Sequence, residues 1–240
     1  MGVGYQASAL HRLNYLVVDE AAPSTTTPPP SWPLPEIPGA RYIVEPARFS
    51  SPAAQDIIIW RDHLAIKYRG LLGEFLSWDE TSDFWTCEDA ATSADLLLRY
   101  VAAVADEGGP QAIHGLVDVD KPALEVIDRA LEGVDRRGFT GRFPQLLLVS
   151  RFWLPFQRDM IIEEPDWQGK TKRFGSNFQL EEEVRELRAL IAGADPRSVE
   201  WTRVRDVPAR VLWAAWQASE TVARICAAAA SHHLPFWTTG

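Results

Sequence analysis

The chain of 240 residues has only two cysteines, Cys87 and Cys226. They lack the close spacing of a zinc or redox motif, so reduced, buried thiols are expected rather than a disulfide scaffold or a metal centre. Histidine is also scarce. His232 and His233 are adjacent and diverge by about one hundred degrees on a helix, while His11, His63 and His114 stand alone, so no metal site is expected. G-x-x-x-x-G-K-[ST], G-x-G-x-x-G and G-x-S-x-G are all absent. With them go the sequence signatures of nucleotide, dinucleotide and nucleophile-elbow chemistry, and no cofactor is expected.

There is no excess of positive charge. A net charge of −9 and a pI near 5.1 give a field that repels nucleic acid and anionic membrane, whereas a basic protein partner suits it. Long apolar runs are missing too. The most apolar helical stretch, Val211 to Leu234, is broken by Gln217, Glu220, Arg224, His232 and His233, which argues against a bilayer span. The N-terminal "MGVGYQASALHRLNYLVV" is interrupted by His11, Arg12 and Asn14, so it lacks the core of a signal peptide. Gln6 stands where N-myristoylation needs Ser or Thr. A cytoplasmic protein without a membrane role is the expectation.

Proline, in contrast, is concentrated. Residues 21–40 hold seven of the seventeen prolines and contain the spacings Pro30 to Pro33 and Pro35 to Pro38. Fixed φ and missing amide donors make this stretch an extended linker or surface strap. It separates an N-terminal strand region, 1–20, from a single domain over 41–240. "RLNYLVVDE" and "RYIVE" read as strands. In "DIIIWRDHLAIKYRG", Leu64, Ile66 and Tyr68 alternate with Ala65, Lys67 and Arg69, which predicts a hairpin turning near 61–63. "LLGEFLSW" and "DFWTC" extend the sheet.

The pattern then becomes helical. "TSADLLLRYVAAVADEGG" predicts a helix with a Thr92 to Asp95 capping-box variant, stopped by Gly108 and Gly109. "AIHGLVDV" reads as a strand, and "KPALEVIDRALEGV" as a helix burying Leu124, Ile127 and Leu131. "FPQLLLVSRFWLPF" is the strongest buried-strand candidate, and "DMIIEE" with "KTKRFG" predicts a hairpin around 167–169. Over 178–192, Leu180, Val184, Leu187 and Ile191 form one stripe, with Glu181 placed to pair with Arg185. The last helix, about 208–231, gathers Arg210, Trp213, Gln217, Glu220 and Arg224 on a narrow face and is buried elsewhere, through Val211, Leu212, Ala215, Val222, Ile225 and Cys226. The sum is an α+β fold. Its mixed or mostly antiparallel sheet, built largely from N-terminal and central strands, is packed by about four helices, the C-terminal one largely buried.

Two acidic and aromatic stretches hold the candidate functional residues. "SWDETSDFWTCED" places Trp78, Asp79, Glu80, Asp83 and Trp85 close together, and "IIEEPDW" adds Glu163, Glu164, Asp166 and Trp167. Indoles as anchors beside carboxylates suit a face for a basic protein, with Trp213 as a further contact residue. The bland alternative is a set of solvated acidic loops whose aromatic side chains turn inward. Paired carboxylates near indoles also suit a glycosidase, with Asp79, Glu80, Glu163 or Glu164 as acids. Lys170, Lys172, Arg173 and Ser176 before a helix have the parts of an anion site. However, Ser176 and Gln179 satisfy a capping box, and Glu181, Glu182 and Glu183 repel a phosphate. The leading expectation is therefore a non-catalytic, immunity- or antitoxin-like binding protein. The rivals are an enzyme with a carboxylate-based site and a structural subunit joined through its Pro-rich segment.

Overall fold

A computed structural model describes residues 2–10, 15–19, 40–44, 54–119, 121–138, 140–194 and 210–239. The strands are β1 (Gly2–Ser8), β2 (Tyr15–Asp19), β3 (Ala40–Val44), β4 (Trp85–Ala91), β5 (Phe152–Leu154), β6 (Ile162–Pro165), β7 (Thr171–Ser176) and β8 (Phe236–Thr239). The α-helices are α1 (Ala54–Leu72), α2 (Thr92–Gly108), α3 (Leu124–Arg136), α4 (Asn177–Ala194) and α5 (Arg210–Ser231), with a 3-10 helix over Pro110–Asp118. The Pro-rich stretch lies outside the described residues apart from Ala40, which opens β3.

Six strands form one mixed sheet in the order β4-β1-β8-β5-β7-β6, in which β5 and β7 are parallel and the other pairs antiparallel. β2 and β3 pair with each other as a separate ribbon. Because side chains alternate along a strand, neighbours in sequence enter opposite cores. Tyr5, Ala7, Trp153 and Phe236 face α2, α3, α4 and α5, whereas Phe152, Leu154, Phe174 and Trp237 face α1. The sheet thus divides a four-helix side from an α1 side, an α+β arrangement.

The hairpin expected over 56–70 is instead α1. Ile57, Trp60, Leu64 and Ala65 are buried at helical spacing, and Ile66, which the alternating reading placed with Leu64, is 74% exposed. No Gly, Pro or Asn is present at 61–63 to make the expected turn. The strand expected over "AIHGLVDV" is the 3-10 helix, in which the buried Ile113 and Leu116 recur every three residues. The long buried strand expected over 143–156 is cut to β5. Its first half is turns, although Phe143, Leu146, Leu147 and Leu148 are buried there.

Four smaller expectations also change. α2 starts from Ala91 without a side-chain cap, because Asp95 is engaged by Tyr5 and Arg151. α3 buries Ile127, Ala130 and Val134 and leaves Leu124 exposed. Arg185 pairs with Glu182 rather than Glu181. "LLGEFLSW" closes α1 and continues without strand structure. The hairpin, α4 and α5 follow the sequence pattern: β6 and β7 pair with Glu163 opposite Arg173, Leu180, Val184, Leu187 and Ile191 are buried, and Ser176 Oγ accepts the Gln179 amide at 3.1 Å.

Candidate functional site

Helix α1 brings the two acidic and aromatic stretches together. Trp60, on its buried side, is the hub: its ring meets Trp78 at 6.0 Å, Trp167 at 5.2 Å and Phe174 at 5.2 Å between centroids. Edge and tilted contacts of this kind match the ring quadrupoles. Its indole Nε1 donates to the Pro165 carbonyl at 2.7 Å, tying α1 to β6. The next residue, Arg61, donates from Nη1 to the Trp78 carbonyl at 2.5 Å. The 78–83 loop and the β6–β7 hairpin are therefore both tied to α1.

The carboxylates divide by direction. Glu80 is buried and accepts the Trp78 indole N–H at 2.6 Å. Glu164 is buried and accepts from both Lys67 and Tyr68, the latter at 2.7 Å. Burial works against its charge, yet those bonds and the Lys67 cation outweigh it and hold the carboxyl below its ordinary pKa. The same balance holds for Asp166, where burial is outweighed by Lys172 and by the amides of Gln168 and Lys170, each at 2.9 Å. These three groups serve the fold.

Asp79, Asp83 and Glu163 point outward. Asp79 closes a turn by accepting the Thr81 hydroxyl at 2.7 Å and amide at 2.8 Å, which lower its pKa. Glu163 meets Arg173 Nε at 2.6 Å on the edge strand β6. Trp85 is half-buried in β4, Trp167 half-buried beneath Lys172, and Trp213 packs against the four-helix core. The cations of the suspected anion loop are engaged: Lys172 with Asp166, and Arg173 with Glu163 and with Asp135 at 2.7 Å. Ser176 Oγ donates to the Phe156 carbonyl while capping α4.

The sequence reading missed the apolar part of this face. Ile59, Ile66, Leu71 and Phe75 are four of the six exposed large apolar side chains among the described residues, and all lie on α1 or just after it. Ile59 and Ile66 are seven residues apart, two helical turns, so they share one stripe. That spacing was the available signal, hidden once the segment was read as strands. Elsewhere, a groove of about 380 Å³ between α4 and α5 is lined by Val184, Arg188, Ala189 and Trp216 among others. Its one carboxylate is Glu181, and it contains none of the acidic candidates. No helix among the described residues is long and apolar enough to cross a membrane. Comparison with protein families, with characterised proteins and with solved structures finds no match to this chain.

Proposed function

We propose that the protein is a non-catalytic recognition protein that docks a basic protein partner on the α1 face, in the manner of an immunity or antitoxin protein. The observation that carries this reading is the concentration of Ile59, Ile66, Leu71 and Phe75 on one helix and its following turn, with the exposed Asp79 and Asp83 in the loop that Arg61 ties to the same helix. Apolar anchors with a charged rim are the anatomy of a protein interface. The net charge of −9 sets the sign of the partner. Of the four acids open to a glycosidase reading, Asp79, Glu80, Glu163 and Glu164, two are supplied with internal donors, Glu80 by Trp78 and Glu164 by Lys67 and Tyr68, which favours recognition over that chemistry. Both cysteines are free thiols, in keeping with a reducing, cytosolic compartment.

Affinity purification of the intact chain from its native host, followed by mass spectrometry, identifies the partner, and a stoichiometric basic protein is expected. With that partner, Ile59→Ser combined with Ile66→Ser is expected to weaken binding by about 2 kcal/mol or more. The double change Asp79→Asn and Asp83→Asn is expected to flatten the salt dependence. Unchanged affinity in both variants would remove this face from the reading.

A further inference from the structure

The seam between α4 and α5 is packed on its inner side and open on its outer side. Leu180, Val184, Leu187 and Ile191 of α4 are buried in one core with Val222, Ile225 and Cys226 of α5. Toward solvent the walls are Ala189 and Ala192 on one helix and Ala223 on the other, side chains too short to fill the space between them. Val184 and the ring of Trp216 complete the apolar lining. The resulting groove of about 380 Å³ falls in the range of small-molecule sites, roughly 300–1,000 Å³.

Three charged side chains border the groove, Glu181, Arg185 and Arg188, and they are not equivalent. Both terminal nitrogens of Arg185 are held by the Glu182 carboxylate, so it has little left to offer a ligand. Arg188 lies over the Trp216 ring, with Cζ 4.5 Å from the centroid, which holds its guanidinium at the groove instead of in bulk solvent. Its one bond among the described residues runs from Nη2 to Glu220 at 3.3 Å, longer than the roughly 2.7–2.9 Å of a firm charged pair. Nη1 and Nε have no protein partner there, and the side chain is 30% exposed, so a ligand can reach them. Glu181 is seven residues from Arg188, about 10 Å along the helix, where water and salt screen most of its repulsion.

We propose that this groove binds a small organic acid with an aromatic or aliphatic body. The body packs on Trp216 and the alanine walls, and the carboxylate accepts from the open edge of the Arg188 guanidinium, for which Glu220 is a loosely held competitor. Charge and shape point to the same ligand, because the cation with donors to spare is stacked on the aromatic part of the lining. The site shares no residue with the α1 face and does not rest on that reading.

The test is calorimetric titration of the intact chain with phenylbutyrate and with naphthylacetate, against the neutral amide of each acid and against phenylbutylammonium. Saturable binding of at least one acid is expected, at least about tenfold tighter than its amide and weakened at least about tenfold in Arg188→Gln. Ala189→Trp, at an exposed position of α4, fills the groove while leaving Arg188 in place, so it should abolish binding, and it carries the test if the glutamine variant fails to fold. No saturable binding of either acid, equal binding of acid and amide, or a preference for the ammonium through Glu181 would overturn the proposal. Binding that survives both variants would do the same, as would a dimer of the chain that Ala189→Trp disrupts, which would assign the groove to a second copy.

Discussion

Glu183→Gln probes how the four-helix side holds the irregular segment 143–149. Glu183 is buried in α4, and its two carboxylate oxygens each accept a backbone amide at 2.9 Å, Oε1 from Gln145 and Oε2 from Leu146. These bonds fasten a stretch that carries Phe143, Leu146, Leu147 and Leu148 into the core without strand pairing. Glutamine keeps one acceptor and turns an NH2 toward the other amide, leaving one buried N–H unsatisfied at about 1–3 kcal/mol. Burial raises the Glu183 pKa well above the ordinary 4.5; the two amide bonds oppose this, and the charges of Asp159 and Glu186 reinforce it.

A raised folded pKa means that the native state holds the proton more tightly than the unfolded chain does. The linked stability is therefore fully present below about 4.5 and is lost as pH rises through the folded value, at no more than about 1.4 kcal/mol per pH unit. Glutamine does not titrate, and every other ionisable group is common to both proteins. The difference in unfolding free energy between wild type and variant, from urea denaturation, should be largest near pH 5 and shrink toward pH 8. A difference that grows with pH would refute the reasoning, because it would show the ionised, twice-bonded carboxylate to be the favoured native form. Glu183→Ala removes both acceptors and should cost about 3–5 kcal/mol at every pH.

Three further outcomes follow from the packing. Trp60→Ala empties the hub between Trp78, Trp167 and Phe174 and removes the bond to Pro165, so a loss of about 3–5 kcal/mol in denaturant unfolding is expected, and under 1 would contradict the cluster's role. Gly175→Ala places a Cβ 2.6 Å from Trp153 Cδ1 and against Gln145 Oε1, where β5 and β7 run side by side; a clearly lowered Tm is expected, and a neutral result would count against that close approach. Burial, then the charges of Asp89 and Glu88, push the Cys87 thiol up to about 12, and Cys226 is buried, so native protein at pH 8 should react slowly with a disulfide reagent and quickly once unfolded. Rapid stoichiometric labelling of the native chain would contradict this.

The sequence revealed most where one amphipathic pattern runs long enough to choose its own period. α4 and α5 are of that kind, and every residue of the expected α4 stripe is buried. β8 passed unread because "FWTT" is short, and "GVGYQAS" fell in the N-terminal strand region without a strand of its own, because it lacks an alternating apolar pattern and its partners are distant in sequence. β1 is fixed between residues 85–91 and 236–239, a pairing that no local pattern encodes. The run 143–149 shows the converse. Its apolar content reports burial, which is real, but a buried turn and a buried strand share that composition when the backbone amides find side-chain acceptors such as Glu183.

At the α1 face, the error in the fold and the error in the site have one cause. Glu163 and Glu164 are adjacent on β6, so their side chains leave on opposite faces, one exposed and one buried. A buried carboxylate needs donors, and here they are Lys67 and Tyr68, both bonded to the same Glu164 oxygen. Consecutive residues of a strand point away from each other and do not both reach one oxygen, whereas consecutive residues of a helix diverge by about 100° and can converge on it. Reading 64–68 as alternating therefore hid the partners of Glu164 and left it looking like a surface acid. The same reading put Ile66 in the core beside Leu64. Once the segment is a helix, Glu164 turns inward with its donors, and Ile59 and Ile66 turn outward as one exposed stripe.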